Sequence, residues 1–242
     1  MNKKHSLILA LLLTILIANT VYVFSLTQSE PRKKVTIKQI VDGDTLNLEN
    51  GERVRLLNIN TPEKGTPGFE QSITFLSVLV NKTVEIEEKG LDKYGRTLGR
   101  IFAPGYVNLE LVEKGFATKF LVDETEIKAF AEAEKDAIDN SLGIWQHSPF
   151  FGCLKSTIDA ERETVIIQNK CGSISVDGWV LKDESRKEYK LKDIRLDEIT
   201  LHTGDGVDNE TDLFWQSSQS IWNNDRDSLY VFANERKIVH YN

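Results

Sequence analysis

Cysteine is scarce in this chain of 242 residues, with only Cys153 and Cys171 present, which excludes a disulfide-scaffolded mini-protein. Histidine is equally sparse. His5, His147, His202 and His240 lie far apart, and no Cys or His stands at zinc-ligand spacing, so a zinc site is excluded. Five prolines and 15 glycines are too few for a collagen-like or low-complexity chain. A basic excess is also missing: the formal net charge is −7, and both halves of the chain after the first 30 residues are acidic. Phosphate neutralisation supplies most non-specific affinity for nucleic acid, so a basic clamp is excluded. Any polyanion must instead be held by a few local Arg and Lys side chains or through a bound cation. What remains, 40% hydrophobic and 28% charged residues, is the composition of a folded globular protein.

Apolar residues are concentrated at the N-terminus. Lys3 and Lys4 precede a run from Leu7 to Ala18, which Val21, Val23, Phe24 and Leu26 prolong, and no acidic residue occurs before Glu30. Residues 1–30 therefore read as a signal peptide or signal anchor. The protein is expected to be secreted, or anchored in the membrane through residues 7–26, with its remaining domains outside the cytoplasm. Export makes a disulfide between Cys153 and Cys171 possible, with two buried free thiols as the alternative. In the chain-entropy picture, closing a loop of that size is worth roughly 3 kcal/mol.

From Val35 the pattern turns to short strands. Alternating residues on either side of Asn50-Gly51 predict a β-hairpin with a two-residue turn, in which Glu49 faces Glu52, Leu46 faces Arg55 and Asp44 faces Leu57. Asp44 and Arg55 would then be diagonal neighbours roughly 7 to 8 Å apart, unless a bulge shifts the register. Strands are expected at Thr83–Glu87 and Gly99–Phe102. Helices are expected at Phe69–Val80, Asn108–Lys114 and Glu124–Leu142, the last closed by a C-cap at Gly143. Residues 34–148 thus read as a β barrel or sheet with helices packed on it. Residues 149–152 read as a linker. Residues 153–242 read as a small all-β sandwich, with strands near 164–168, 174–181, 189–194, 198–202, 228–232 and 237–241.

Chemistry-bearing residues gather in four short segments: Asp42-Gly43-Asp44-Thr45, Arg55-Leu56-Leu57, Asn60-Thr61-Pro62-Glu63 and Asp92-Lys93-Tyr94-Gly95-Arg96. They combine hard oxygen donors, two arginines and one carboxylate. In the expected hairpin, Asn60, Thr61 and Glu63 leave the second strand at the end where Asp44 enters the first. Oxygens of Asp44, Asn60 and the Thr61 carbonyl would then converge on one hard cation.

These segments, with the closing Leu142-Gly143-Ile144-Trp145, occur in the order and approximate spacing of the staphylococcal nuclease-like (thermonuclease) family, and the resemblance spans roughly residues 34–148. It implies a five-stranded OB-fold barrel with helices and a calcium-dependent phosphodiesterase that acts on DNA and RNA and leaves 3′-phosphate products. Carried over residue by residue, it implies that Asp44, Asn60 and the Thr61 carbonyl hold Ca²⁺, with Asp42 behind them. Glu63 would act as general base on water, Arg55 and Arg96 would clamp the phosphodiester, and Lys93 and Tyr94 would lie near a substrate phosphate. A planar guanidinium fork and a divalent ion suit an anionic transition state that needs charge neutralisation more than covalent help. Three features depart from the family pattern. Asn60 replaces the usual second calcium aspartate. The stretch that carries a stacking aromatic pair reads Phe120-Leu121-Val122-Asp123. The lysine-rich loop after the general base is reduced to Lys64-Gly65-Thr66-Pro67-Gly68.

Gly178-Trp179, the turn-rich stretch 204–215 and Trp222-Asn223-Asn224-Asp225 resemble the lamin-tail domain, an immunoglobulin-like β-sandwich, over residues 153–242. That resemblance implies a targeting or binding appendage of unknown ligand, with Trp179 in its core. The chain is expected to act as a monomer. Two other readings stay open: a catalytically weak or inactive OB-fold module that binds nucleic acid or a surface partner, and a cell-surface adhesion protein. Because Asn60 keeps an oxygen ligand but removes a charge, Asn60→Asp is expected to need less Ca²⁺ for hydrolysis than the natural chain. An activity titration in Ca²⁺ checks this, and equal calcium dependence contradicts it.

Overall fold

The structure, a computed structural model, describes residues 12–20, 31–185, 187–192, 194–222 and 227–242. Residues 12–20 are helical. The rest of the apolar leader and most of the Trp222–Asp225 motif lie outside the described residues. Among the described residues no helix is long and apolar enough to cross a membrane. The chain divides into residues up to Lys33 and a unit spanning Lys34–Asn242.

A closed barrel of five strands forms the first part of that unit, as expected: β1 (Lys33–Asp42), β2 (Thr45–Leu48), β3 (Arg53–Leu56), β5 (Thr83–Leu91) and β6 (Thr97–Phe102), in the order β1-β2-β3-β6-β5. Side chains alternate across a strand, so Leu46 and Leu48, Val54 and Leu56, and Val84 and Ile86 point inward and are buried. Each such side chain contributes about 1.5–3 kcal/mol by leaving water. Helices α1 (Phe69–Ser77), α2 (Val107–Glu113) and α3 (Ile127–Asp139) accompany the barrel, and β4 (Ile59–Asn60) pairs with β7 (Thr118–Lys119).

The hairpin register differs from expectation by one residue. Thr45 faces Arg55 and Leu46 faces Val54, because Leu48 receives the Gly51 N–H and donates to the Glu52 carbonyl around a three-residue loop. Gly51 takes the left-handed φ of 88° that this bulged turn requires. The end of α3 also differs. The helix stops at Asp139, and Gly143, at φ 54°, instead permits a close backbone approach: a Cβ there would lie 2.1 Å from the Gly115 carbonyl oxygen.

After the barrel come two four-stranded sheets. One has the order β12 (Glu188–Lys190), β11 (Val180–Lys182), β16 (Tyr230–Phe232), β17 (Ile238–Tyr241). The other runs β15 (Asp212–Phe214), β14 (Glu198–His202), β9 (Thr164–Asn169), β8 (Leu154–Asp159). Strands β10 (Ile174–Ser175) and β13 (Arg195–Leu196) form a separate pair. Leu154, Val165 and Leu201 from one sheet meet Leu181, Val231 and Val239 from the other in a single core, with Trp179 and Trp222 buried among them. The sulfurs of Cys153 and Cys171 are bonded, with Cα atoms 5.2 Å apart.

A further apolar cluster joins the barrel's last helix to these sheets. Ala137 and Ile138 of α3 pack with Trp145, Tyr230, Phe232 and Ile238, and the Trp145 ring stacks 5.3 Å from that of Tyr230. The connecting segment is held down as well, since Ser148 N–H donates to the Ile238 carbonyl and Gly152 N–H to that of Val239. Beside this cluster lies a fully buried carboxyl, Glu134, on the apolar face of α3. Burial raises its pKa, opposed by the Lys119 charge and by hydrogen bonds from the Tyr230 hydroxyl at 2.7 Å and the Lys119 N–H at 2.9 Å. Removing one donor from a buried carboxyl costs about 1–3 kcal/mol. Tyr230→Phe is therefore expected to lower unfolding free energy by about that amount in urea denaturation, and a change within experimental error contradicts the assignment.

Candidate active site

Asp42, Gly43 and Asp44 form the turn from β1 into β2. The Asp44 N–H donates to Asp42 Oδ1 at 3.0 Å, which closes the turn on itself. Gly43 is required by crowding rather than by dihedral freedom. A Cβ at this position would lie 2.2 Å from Ser72 Oγ on α1 and 2.6 Å from Thr61 Oγ1.

Asp44 is 2% exposed, and its carboxylate is surrounded by donors. Thr45 Oγ1 donates to Oδ1 at 3.1 Å, while Oδ2 receives the Thr61 N–H at 3.2 Å, Thr61 Oγ1 at 3.3 Å and Arg55 Nη2 at 3.1 Å. Arg55 enters from β3, directly opposite Thr45. The same Nη2 reaches the Ile59 carbonyl and Asn60 Oδ1, each at 2.7 Å, and Nη1 donates to the Leu56 carbonyl. Arg55 therefore acts as a strut between β3 and the segment leaving β4. Asn60 is itself held by β7, where Thr118 Oγ1 donates to its carbonyl at 3.3 Å. Just beyond, Glu63 is exposed, and its main-chain carbonyl accepts the Thr66 N–H at 2.9 Å and hydroxyl at 2.6 Å, which folds the loop back.

Arg96 arrives on a separate turn. Asp92 accepts the N–H groups of Tyr94 at 2.8 Å and Arg96 at 2.9 Å, and binds Arg96 Nε at 2.7 Å. Despite a desolvation penalty, these bonds and the guanidinium charge hold the Asp92 carboxyl below its ordinary pKa. Arg96 Nη1 reaches Thr45 Oγ1 at 3.5 Å, linking this turn to the Asp44 cluster. The Tyr94 ring, 72% exposed, lies 5.1 Å from Lys93 Nζ and 5.5 Å from the Arg96 guanidinium carbon.

The nine residues singled out from these segments, Asp42, Asp44, Arg55, Asn60, Thr61, Glu63, Lys93, Tyr94 and Arg96, all line one cleft of about 590 Å³. Cys153 and Cys171 lie elsewhere. Four residues not assigned to the site from sequence complete it. Asp92 positions Arg96, and its placement before Tyr94-Gly95 was a legible turn signal. Phe120 lines the cleft from the stretch that departs from the family's aromatic pair. Ser185 and Lys187 come from the loop between β11 and β12, with no local pattern to mark them.

The donor set can be tested against a hard cation. Asp44 Oδ2 and Asn60 Oδ1 both lie within 3.1 Å of Arg55 Nη2, so the two oxygens are gathered side by side, bridged by that guanidinium. Beside them, burial and then the Asp44 charge raise the pKa of the Asp42 carboxyl. Oxygen donors of this kind fit Ca²⁺ by chemistry. Among the described residues no group of three or more His, Cys, Asp and Glu side chains is placed to hold a metal. A cation here would therefore rely on one direct carboxylate, the Asn60 amide oxygen and a main-chain carbonyl.

Residues 53–147 match the family model described as staphylococcal nuclease homologue. The chain is 32% identical over 139 residues to an "Uncharacterized endonuclease" of Haemophilus influenzae, covering 54% of this chain and 78% of that protein. It is also 32% identical over 125 residues to the "Micrococcal nuclease" of Shigella flexneri, covering 45% and 71% of the two chains. An "Uncharacterized endonuclease" of Escherichia coli O157:H7 is 30% identical over 115 residues, covering 45% and 74%.

The steric reading of Gly43 separates it from Gly51, around which nothing lies within 4 Å. Gly43→Ala is expected to cost toward the upper end of about 1–3 kcal/mol by overpacking the Asp44 turn against two side chains, whereas Gly51→Ala loses only the roughly 1–2 kcal/mol of its left-handed backbone. Urea denaturation of both variants checks the order, and a Gly43 variant as stable as the natural chain contradicts it.

Proposed function

The chain belongs to the staphylococcal nuclease homologues, and from that premise we propose that it is an exported, calcium-dependent endonuclease hydrolysing phosphodiester bonds of DNA or RNA to 3′-phosphate products. The observation that carries this reading is the meeting of hard oxygen donors, two arginines and an exposed carboxylate in one cleft. Asp44, Asn60 and the Thr61 carbonyl would hold Ca²⁺, with Asp42 behind them. When bound, the ion supplies electrostatic stabilisation of the anionic phosphodiester.

The remaining work falls to the chain's own groups. Glu63, exposed on the cleft wall, takes a proton from the attacking water. Arg96 is held on the rim by Asp92 and presents charge to a phosphate oxygen. Arg55 keeps the Asp44 and Asn60 oxygens in place from the floor and adds positive charge beneath the phosphate. Lys93 and Tyr94 border the substrate's path. The C-terminal sheets are read as a lamin-tail-like appendage that localises the enzyme, and residues 1–30 as the export signal or anchor.

Incubating the whole chain with single-stranded DNA in Ca²⁺ or in chelator, beside Glu63→Gln, tests the reading. Cleavage is expected only with Ca²⁺, and the variant is expected to lose about 10²- to 10⁴-fold in rate, the usual worth of a general base. Calcium-independent cleavage, or equal rates for the two proteins, would overturn it. A chain that binds nucleic acid without cutting would favour the binding-module reading.

A further inference from the structure

The loop between β11 and β12 belongs to the C-terminal sheets, yet Ser185 and Lys187 stand in the cleft with Arg55, Glu63 and Arg96. Two contacts pin this loop to the barrel. The Glu184 carboxylate pairs with Lys119 of β7, and its main-chain carbonyl accepts Asn60 Nδ2 at 3.5 Å. The loop is also internally fixed. Asp183 accepts the Ser185 N–H at 2.9 Å and hydroxyl at 2.7 Å, and Ser185 Oγ in turn accepts the Lys187 N–H at 3.1 Å. The Lys187 backbone is thus positioned by a chain of hydrogen bonds that begins at a buried aspartate.

Charge gives this placement a consequence. Arg55 is bound to Asp44 and Arg96 to Asp92, so each cleft arginine already faces an aspartate. Lys187 feels the charge of Asp183 but forms no ion pair within 4.0 Å with any described residue, and it is half-buried beside the cleft. In a chain of net charge −7, with one lysine in the loop 64–68, a cation added here matters for holding a polyanion.

We propose that Lys187 is a substrate-binding residue that engages a polynucleotide phosphate beyond the scissile one, making the β11–β12 loop part of the nuclease groove. The proposal rests on the nuclease reading for its substrate class. Its ligand is a phosphodiester backbone, contacted as a point charge and without base preference.

The full-length chain serves for the test, with a single-stranded 12-mer, a dinucleotide and the variants Lys187→Ala, Lys187→Glu and Lys187→Arg. Lys187→Ala is expected to raise KM for the 12-mer about 3- to 10-fold, the net worth of one ordinary polar contact, with the loss in KM rather than kcat. The rise should be greater for the 12-mer than for the dinucleotide. Lys187→Glu should lose more, Lys187→Arg should recover most of the loss, and the salt dependence of 12-mer binding should flatten by about 0.7 in log–log slope. Equal losses on both substrates, or no recovery by arginine, would mark a structural role and overturn the subsite. Fluorescence anisotropy of a labelled 12-mer in chelator separates the two readings. A natural chain that binds in chelator yet does not cut when Ca²⁺ is restored overturns the nuclease reading, while equal affinity of the natural chain and Lys187→Glu overturns the subsite.

Discussion

A carboxylate taken out of water must be given donors, and Asp44 meets that demand in a way that organises the site. Its two oxygens are satisfied by a hydroxyl from β2, an N–H and hydroxyl from the segment after β4, and a guanidinium from β3. These donors come from three stretches of chain, so satisfying one buried charge fixes the relative placement of all three. Gly43 lets α1 close against the same turn, and Arg55 extends the network to Asn60. Glu63, three residues past Asn60, is thereby carried to the cleft wall, and Arg96 is tied in through Thr45.

A second buried carboxyl does similar work between the barrel and the later sheets. Glu134 lies on the apolar stripe of α3 and is satisfied by Tyr230 and by the Lys119 backbone, next to the ring stack of Trp145 on Tyr230 and Phe232. Lys119 also reaches Glu184, so the same pair of elements sets the β11–β12 loop beside Asn60. The cleft is consequently composite: Ser185 and Lys187 form part of its wall, and its electrostatics cannot be read from the barrel alone.

Much of the fold was legible because burial imposes period-two alternation on strands and a 3.6-residue stripe on helices. The barrel strands, the three helices and several later strands are visible in that way, whereas β8 and β15 are not, and the strand expected over 174–181 is split into β10 and β11. The hairpin register was not legible, because Gly51 adopts a three-residue bulged loop where a two-residue turn was expected, displacing the pairing by one. Asp44 and Arg55 meet even so, since Asp44 sits in the turn before β2 rather than in the ladder, where register alone would have governed its direction. Gly143 misled for a related reason: its neighbour is the Gly115 backbone, a contact no local pattern encodes.

From the sequence come the residues proposed to carry the chemistry, which the structure gathers in one cleft. Asp42, Asp44, Arg55, Asn60, Thr61, Glu63, Lys93, Tyr94 and Arg96 stand in short segments whose residue types and order suffice to nominate them. Tertiary structure alone decided that Arg55 is a strut between Asp44 and Asn60, that Asp92 orients Arg96, and that Lys187 stands in the cleft. The physical reason is that residue type is a local property. A buried charge's choice of donor depends on which distant segments exclude water around it, and that is settled only when the chain has closed.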